Sequence, residues 1–440
     1  MFIMIEKLFK LKENGTNVRT EMMAGVITFL TMSYILAVNP QILGATGMDK
    51  QALFTTTALA AIAGTLFMAI FANVPIAQAP GMGLNNFFAF TVVLAMGYSW
   101  QFALTAVIIE GFIFLLLTLF NIRELIINNI PKGLKEAIPI GIGLFITLIG
   151  LKSAGIVVPN ESTLVELGSM SNPSAWIAFL GLVVIAVLLT LKVHGAILIG
   201  ILTSTVFAII LGEVHLPEGN LVSLPPSIAP IFVKFEWTHV FTFDMLIVVF
   251  TFLIVNLFDS MGTLIGVISK IGKSDKDGNF PQIQKALFAD ALGTIAGALL
   301  GTSPNTSFVE SASGVAAGGR TGLTSVSTAL MFFLALFFAP IFLMVPAAAT
   351  APALIIIGLF MMSSVGNINF SEISEGLPAF ITIIFMPFTY SIAQGVIFGM
   401  LSFTIIKLLS GKAKDVSITM YVLALFFLVK IVLDASNVFG

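Results

Sequence analysis

The sequence contains no cysteine and few charged residues for its length. Its 440 residues include 20 Lys and Arg and 22 Asp and Glu, so charged side chains make up 10% of the chain. Soluble domains carry roughly 25% charged residues, which excludes a soluble protein of this size. Without cysteine there is no disulfide, thiolate metal site or thiol nucleophile. A net charge of −2 gives no basic surface for a nucleic-acid partner.

Long apolar stretches make up most of the sequence. Hydrophobic residues form 58% of the chain, in continuous runs close to the ~20 residues that cross a bilayer as a helix. The predicted fold class is an all-α polytopic membrane protein with about fourteen transmembrane helices. We number them spans 1 to 14: 22–42, 53–73, 75–96, 101–121, 134–152, 174–192, 195–212, 241–268, 285–301, 303–317, 321–344, 349–366, 376–391 and 392–410. A further run, 416–434, is either another span or an interfacial helix.

The distribution of Lys and Arg predicts the orientation in the membrane. With a cytoplasmic N-terminus, 16 of the 20 Lys and Arg fall in cytoplasmic loops or tails, as the positive-inside rule requires. Residues 1–21 have the pattern of a basic amphipathic helix at the cytoplasmic surface. We therefore expect a multi-pass protein of the cell membrane in contact with lipid.

The two halves of the chain contain similar segments in the same order. Residues 28–30 recur at 251–253, 142–145 at 357–360, and the segment that begins at Gly195 resembles the one that begins at Gly395. A repeat of seven spans reverses its orientation, because seven is odd. Such a 7+7 inverted repeat is typical of secondary transporters. The alternative is chance similarity between apolar sequences.

Spans 3 and 10 are broken near the middle of the membrane. Pro, Gly and small polar residues occupy 74–86 in span 3 and 301–310 in span 10. Irregular backbone at that depth is tolerated only inside protein or beside a wet cavity, where its free N–H groups can bind a polar ligand. The two breaks therefore indicate a binding site, with proline kinks that serve packing as the alternative.

Four carboxylic acids stand out among those within predicted spans, where charge is costly and usually functional. Glu310 follows the break in span 10, and Asp259 lies in span 8, one helical turn after Asn256. Both acids are candidates for binding and for carrying a proton, although either could instead hold two helices together. Asp290 lies near the start of span 9, where an acid can favour a helix N-terminus. Glu110 in span 4 has no polar neighbour in sequence.

Four motifs resemble the AzgA-type guanine/hypoxanthine permeases, a branch of the nucleobase–cation symporter-2 (xanthine/uracil permease) family. They are NGTNVRTE at 14–21, GMGLN at 81–85, FDSMGTLIGV at 258–267 and ESASGVAAGGRTG at 310–322. The resemblance implies a core domain, a gate domain and substrate between the broken spans. It also implies import of purine bases by proton symport, with Glu310 as the span 10 substrate carboxylate and Asp259 as the span 8 acid. Relatives often carry an acid at the position of Asn256.

The resemblance also implies the division into domains, whose boundaries we place at the ends of these spans. Residues 1–21 form the cytoplasmic N-terminus and 411–440 the C-terminal segment. The core comprises 22–121 (spans 1–4) and 241–344 (spans 8–11). The gate comprises 122–212 (spans 5–7) and 345–410 (spans 12–14). Substrate would lie at the midplane between spans 3, 8 and 10.

A neutral purine matches the polar groups predicted there. Glu310 can accept from two ring N–H groups, and Phe308 offers a stacking face. The backbone N–H groups of Thr306, Ser307 and Phe308 can donate to ring acceptors. In span 3, the side-chain amides of Gln78 and Asn85 can both donate and accept. We expect no cofactor and no metal.

The sequence leaves several alternatives open. An anion exchanger or channel of the same fold is the main rival, although Glu310 would repel an anion. A membrane-embedded aspartyl protease would need a paired-acid motif that is not evident. The preferred purine (hypoxanthine, guanine or adenine), coupling to H⁺ or Na⁺, a monomer or a homodimer, and contact through Asn256 or Asp259 also stay open.

Overall fold

A computed structural model describes residues 2–120, 129–214, 216, 220–271 and 282–438, and it is largely helical. Parts of the predicted domains lie outside these ranges: residue 1 of the N-terminus, 121 and 272–281 of the core, 122–128 of the gate, and 439–440 of the C-terminal segment. Every predicted span coincides with a helix or with a strand followed by a helix. Among the described residues, ten helices are long and apolar enough to cross a membrane. The full count of fourteen stays a prediction, and we keep the span numbers as names.

The helices of spans 1 to 7 are Val18–Met32 with Ile35–Gly44, Lys50–Phe67, Met82–Asn86, Trp100–Leu119, Lys132–Ser153, Pro173–Thr190 and Ala196–Ile210. π-Helical turns, Met68–Ala72 and Phe87–Ala95, extend spans 2 and 3. The helices of spans 8 to 14 are Phe243–Ile271, Gln282–Leu300, Ser311–Ala316, Gly322–Ala335 with Ala339–Leu343, Ala347–Met361, Ile373–Phe388 and Ile392–Leu409. Helices Phe2–Phe9 and Ile418–Val438 lie at the two ends. Short 3₁₀ turns are Leu336–Phe338, Met362–Asn367 and Ala413–Asp415.

Spans 3 and 10 each begin as a short strand, and the two strands pair with each other. Strand β1, Gln78–Pro80, lies antiparallel to β4, Asn305–Ser307, with Ala79 opposite Thr306. The pairing satisfies backbone groups that would otherwise lie unpaired in the membrane interior. A second hairpin, β2 (Val157–Asn160) with β3 (Leu164–Leu167), joins spans 5 and 6.

Gly301 is required for the turn that enters β4. Its φ of 94° lies in the left-handed region, which glycine adopts without steric cost. A Cβ at this position would lie 2.4 Å from the carbonyl oxygen of Ile231. The loop before span 8 therefore packs directly against the turn and holds the end of span 9 next to the strand.

The buried carboxylate of Glu21, from the first family-like motif, caps span 11. It accepts from the Arg320 N–H at 2.8 Å, and from the hydroxyls of Thr321 and Thr324 at 2.9 and 2.6 Å. An acid at a helix N-terminus is favourable because unpaired N–H groups lie there. Residues 318–322, which lack a P-loop Lys and are expected to form a tight turn, form a turn in which Gly318 has a φ of 105°. The chain's own carboxylate therefore occupies the place that an anion could take.

The helices pack most extensively in two sets. Span 1 packs on span 11, span 2 on spans 9 and 11, and span 4 on spans 8 and 9. Span 5 packs on spans 12 and 13, span 6 on spans 7 and 12, and span 13 on span 14. Spans 5 and 12 meet closely, since a Cβ on Gly143 would lie 2.7 Å from the carbonyl oxygen of Gly358.

The outer surface of the bundle is apolar. On span 4, Phe112, Leu116 and Leu119 lie on one helix face and are 53%, 53% and 57% exposed. Soluble monomers rarely expose contiguous apolar patches of this kind. With the ten long apolar helices, this surface identifies a multi-pass membrane protein.

Candidate functional site

A cavity of about 400 Å³ lies beside strand β4. This volume is within the range of small-molecule sites. Its walls come from span 1, the broken parts of spans 3 and 10, span 8, the first half of span 5 and the end of span 12. The cavity is therefore built around the two breaks.

Five of the predicted site residues line this cavity together. They are Asp259, Thr306, Ser307, Phe308 and Glu310. The hydroxyl side chains and the aromatic ring come from the break in span 10, and the two carboxyl groups from spans 8 and 10. The backbone N–H of Phe308 donates to the carbonyl oxygen of Ala77 at 2.9 Å, so the strand pairing already uses it.

Tyr34 also lines the cavity, and sequence reasoning did not identify it. Its hydroxyl donates to Glu310 Oε1 at 2.6 Å, and its side chain is buried. Tyr34 lies where the span 1 helix is interrupted, between Val18–Met32 and Ile35–Gly44. The available signal was a polar pair, Ser33 and Tyr34, in the middle of an apolar span.

Asn256 does not line the cavity. Its side-chain amide donates to Glu110 Oε1 at 3.0 Å and to the Thr294 hydroxyl at 3.3 Å. Its own oxygen accepts from Ser260 at 3.1 Å. Asn256 therefore joins span 8 to spans 4 and 9, and it gives Glu110 the polar neighbour that the sequence did not show.

Gln78 and Asn85 are fully buried and also lie outside the cavity lining. The Gln78 amide donates to Asp290 Oδ1 at 2.8 Å. The Asn85 side-chain oxygen accepts from the Ser303 hydroxyl. Both amides of span 3 therefore bond to neighbouring protein segments.

Asp290 connects four segments behind the cavity. Besides Gln78, its carboxylate accepts from the Ser260 hydroxyl at 2.6 Å and from the Ser307 hydroxyl at 3.1 Å. It lies in the middle of the helix Gln282–Leu300 rather than at its N-terminus. These bonds tie β1, β4 and span 8 to span 9, because a buried carboxylate needs several donors. We call Asp290 and its three donors the Asp290 frame.

A second cavity, of about 830 Å³, also borders Glu310. It is mostly apolar and is bounded by Thr31 of span 1, Ser313 of span 10, and the segments that join spans 6 and 7 and end span 12. The two cavities share Val309, Glu310, Phe360 and Ser363. Glu310 therefore borders both cavities.

A helical membrane bundle with a polar cavity at two broken spans is a transporter architecture. Residues 19–398 match the Xan_ur_permease profile, described as "Permease family". The chain belongs to this xanthine/uracil permease family, which confirms the resemblance found in the sequence, and it is a transporter rather than an enzyme.

Two relatives extend over almost the whole chain. The adenine permease AdeP of Escherichia coli (strain K12) is 46% identical over 98% of this chain and 96% of its own length. The guanine/hypoxanthine permease PbuO of Bacillus subtilis (strain 168) is 43% identical over 96% of this chain and 99% of its own.

Solved structures share the fold. The transmembrane domain of the cyanobacterial bicarbonate transporter BicA superimposes with a TM-score of 0.65 at 16% sequence identity, covering 87% of this chain and 97% of that one. Similarity at this level of identity shows a common architecture and does not extend to the substrate.

Proposed function

We propose that this protein imports purine nucleobases, namely hypoxanthine, guanine or adenine, across the cell membrane by proton symport. The observation that carries the proposal is the Glu310 carboxylate, held by Tyr34 beside a cavity that Asp259, Thr306 and Phe308 also line. The carboxylates can accept from ring N–H groups, the threonine hydroxyl can donate to ring nitrogens or carbonyls, and the phenyl ring can stack. The names of the adenine and guanine/hypoxanthine relatives point to the same substrate class.

The charge of the cavity supports a proton as the coupling ion and disfavours an anion as the substrate. Glu136, Asp259 and Glu310 line it, and among the described lining residues there is no Lys or Arg. Carboxyl groups that face the same cavity repel one another, so adding a proton is favourable. An anion exchanger would need the opposite charge at this place.

The two packing sets correspond to the proposed core (22–121 and 241–344) and gate (122–212 and 345–410). In the proposed inverted repeat, the β1–β4 pairing lies at the pseudo-two-fold axis, because an antiparallel pair is symmetric about such an axis. The echoed segments of spans 5 and 12 face each other at Gly143 and Gly358. Movement of gate against core would give alternating access.

The structure is consistent with an inward-facing state. With the N-terminus in the cytoplasm, Glu136 at the start of span 5 and Ser363 after span 12 lie on the cytoplasmic side, and both line the cavity. On the opposite side, Tyr390 joins gate to core. Its ring packs edge-on against Phe90 of span 3 and Phe145 of span 5, with centroids 6.3 and 5.2 Å apart.

Uptake into proteoliposomes tests the proposal. We expect an inward proton gradient to drive accumulation of labelled hypoxanthine, unlabelled purine bases to compete, and a protonophore to abolish accumulation. Bicarbonate and uracil serve as competitors of other classes. Purine uptake that is driven only by a sodium gradient would show that the coupling ion is Na⁺ rather than H⁺. Uptake of bicarbonate without any uptake of purine bases would overturn the proposed function.

Asp259→Asn tests the coupling. If Asp259 carries or tunes the transported proton, the variant should lose concentrative uptake but keep exchange of labelled for unlabelled base, since exchange needs no net proton movement. Glu161→Gln, at an exposed site in the hairpin between spans 5 and 6, is the control, because it also removes a carboxylate but lies outside the cavity lining. A protonophore-sensitive accumulation that persists in Asp259→Asn would exclude Asp259 from coupling.

A further inference from the structure

The interruption of span 1 places a tyrosine hydroxyl on one oxygen of the Glu310 carboxylate. The helix stops at Met32 and resumes at Ile35, so Tyr34 lies at the joint. Its side chain is 1% exposed, and its hydroxyl donates to Glu310 Oε1 at 2.6 Å. A fully packed side chain holds its hydrogen bond in one geometry.

Span 1 also fixes the backbone of the same turn. The hydroxyls of Thr31 and Ser313 lie 2.9 Å apart, and the Ser313 hydroxyl donates to the carbonyl oxygen of Glu310 at 2.6 Å. Tyr34 therefore acts on a Glu310 whose main chain is already held. The phenol takes one acceptor position of Oε1, so a base that binds Glu310 through both oxygens competes with Tyr34 at Oε1.

We propose that Tyr34 sets the balance between guanine and hypoxanthine by keeping Glu310 Oε1 engaged. This inference rests on the proposed purine site. Guanine presents two adjacent donors, N1–H and the 2-amino group, whereas hypoxanthine presents only N1–H on that edge. A carboxylate with both oxygens free takes such a pair of donors in two parallel bonds. The Tyr34 hydroxyl takes one acceptor position of Oε1, which weakens a second bond at that oxygen and reduces the advantage of guanine.

The test measures binding of guanine and of hypoxanthine to the purified protein and to Tyr34→Phe. Wild type should bind the two bases with Kd values within about threefold of each other. In Tyr34→Phe, the ratio of the hypoxanthine Kd to the guanine Kd should rise about tenfold, because one more bond to a charged group becomes available. A purely structural role for Tyr34 would weaken both bases alike and leave the ratio unchanged.

Tyr98→Phe is the matched control. The Tyr98 hydroxyl also donates to a carboxylate, Asp244, but it lies before span 4 and outside the cavity lining. Partial burial and the Asp244 carboxylate raise the pKa of Tyr98 to about 12, so it is a neutral donor like an ordinary phenol. Its removal should leave the Kd ratio within twofold of wild type.

The outcomes separate this inference from the proposed function. A wild type that binds neither of these bases and does not bind adenine overturns the purine site itself, whereas one that binds adenine alone overturns only the role of Tyr34. A wild type that binds both, with a ratio that changes by less than twofold in Tyr34→Phe, overturns only the role of Tyr34. A guanine preference above tenfold in the wild type also overturns it, and that measurement needs no variant.

Discussion

The two broken spans have similar sequences of small polar residues, proline and glycine, yet their side chains serve different purposes. In span 10, Thr306, Phe308 and Glu310 line the cavity. In span 3, the amides of Gln78 and Asn85 bond to protein partners and are fully buried. One break therefore supplies groups for a ligand, and the other anchors the strand that positions them.

Close packing explains why the Gln78 amide stays in the Asp290 frame. A Cβ at Gly64 or Gly293 would lie 2.4 or 2.3 Å from Gln78 Oε1, so both glycines make room for the amide between spans 2 and 9. Its nitrogen donates to Asp290. The comparison predicts that changes in the Asp290 frame lower stability, whereas changes at the cavity lower binding.

The largest effect is expected for Asp290→Ala. It removes the acceptor of Gln78, Ser260 and Ser307 together, and breaking a buried charged network costs about 3–5 kcal/mol. The thermal midpoint in detergent should fall sharply or the protein should fail to accumulate. Glu161→Ala, at an exposed site in the hairpin between spans 5 and 6, is the control and should change stability by less than about 0.5 kcal/mol. An unchanged midpoint for Asp290→Ala would show that the frame carries little stability.

Glu310→Gln should lower substrate binding and leave stability almost unchanged, the reverse of Asp290→Ala. The amide keeps the shape but loses the charge and one acceptor, so binding of hypoxanthine should weaken by about 2–3 kcal/mol, or 30-fold and more. The thermal midpoint should stay close to that of wild type. Kd measurement on the purified variant checks this, and a Kd within threefold of wild type would contradict the assignment of Glu310.

Much of the fold follows from the sequence because apolar runs and breaks are local signals. The spans lie where hydropathy places them, and both breaks coincide with the strands. Glu310 and Asp259 meet in one cavity, as two acids next to a break suggest.

The orientation of individual side chains does not follow from the sequence. Which residues of a strand face the cavity depends on its partner and register, here Gln78 opposite Ser307. Asn256 and Asp259 are one helical turn apart, but Asn256 bonds to Glu110 of span 4, a contact across 146 residues. Tyr34 cannot be assigned to the cavity from the sequence, because the polar pair Ser33 and Tyr34 in an apolar span gives no periodic signal.

A smaller effect is expected for Gln78→Ala. The variant removes one donor from Asp290, which keeps Ser260 and Ser307, so unfolding should become easier by about 1–2 kcal/mol. Because Gln78 is outside the cavity lining, the Kd for hypoxanthine should stay within threefold of wild type. A 30-fold weaker affinity for hypoxanthine would instead place Gln78 among the substrate contacts. It would contradict the different roles assigned to the two strands.

The smallest effect is expected when Gly293→Ala is added to Gln78→Ala. In the wild type, the new methyl group would collide with Gln78 Oε1, and overpacking of this kind costs about 1–3 kcal/mol. Once Gln78 is shortened, the methyl group enters vacated space, so the second change should alter stability by less than about 0.5 kcal/mol. Thermal midpoints of the two single variants and the double variant give the coupling. If the stability losses of the two single variants add up in the double variant, Gly293 is needed for a reason other than its close contact with the Gln78 amide.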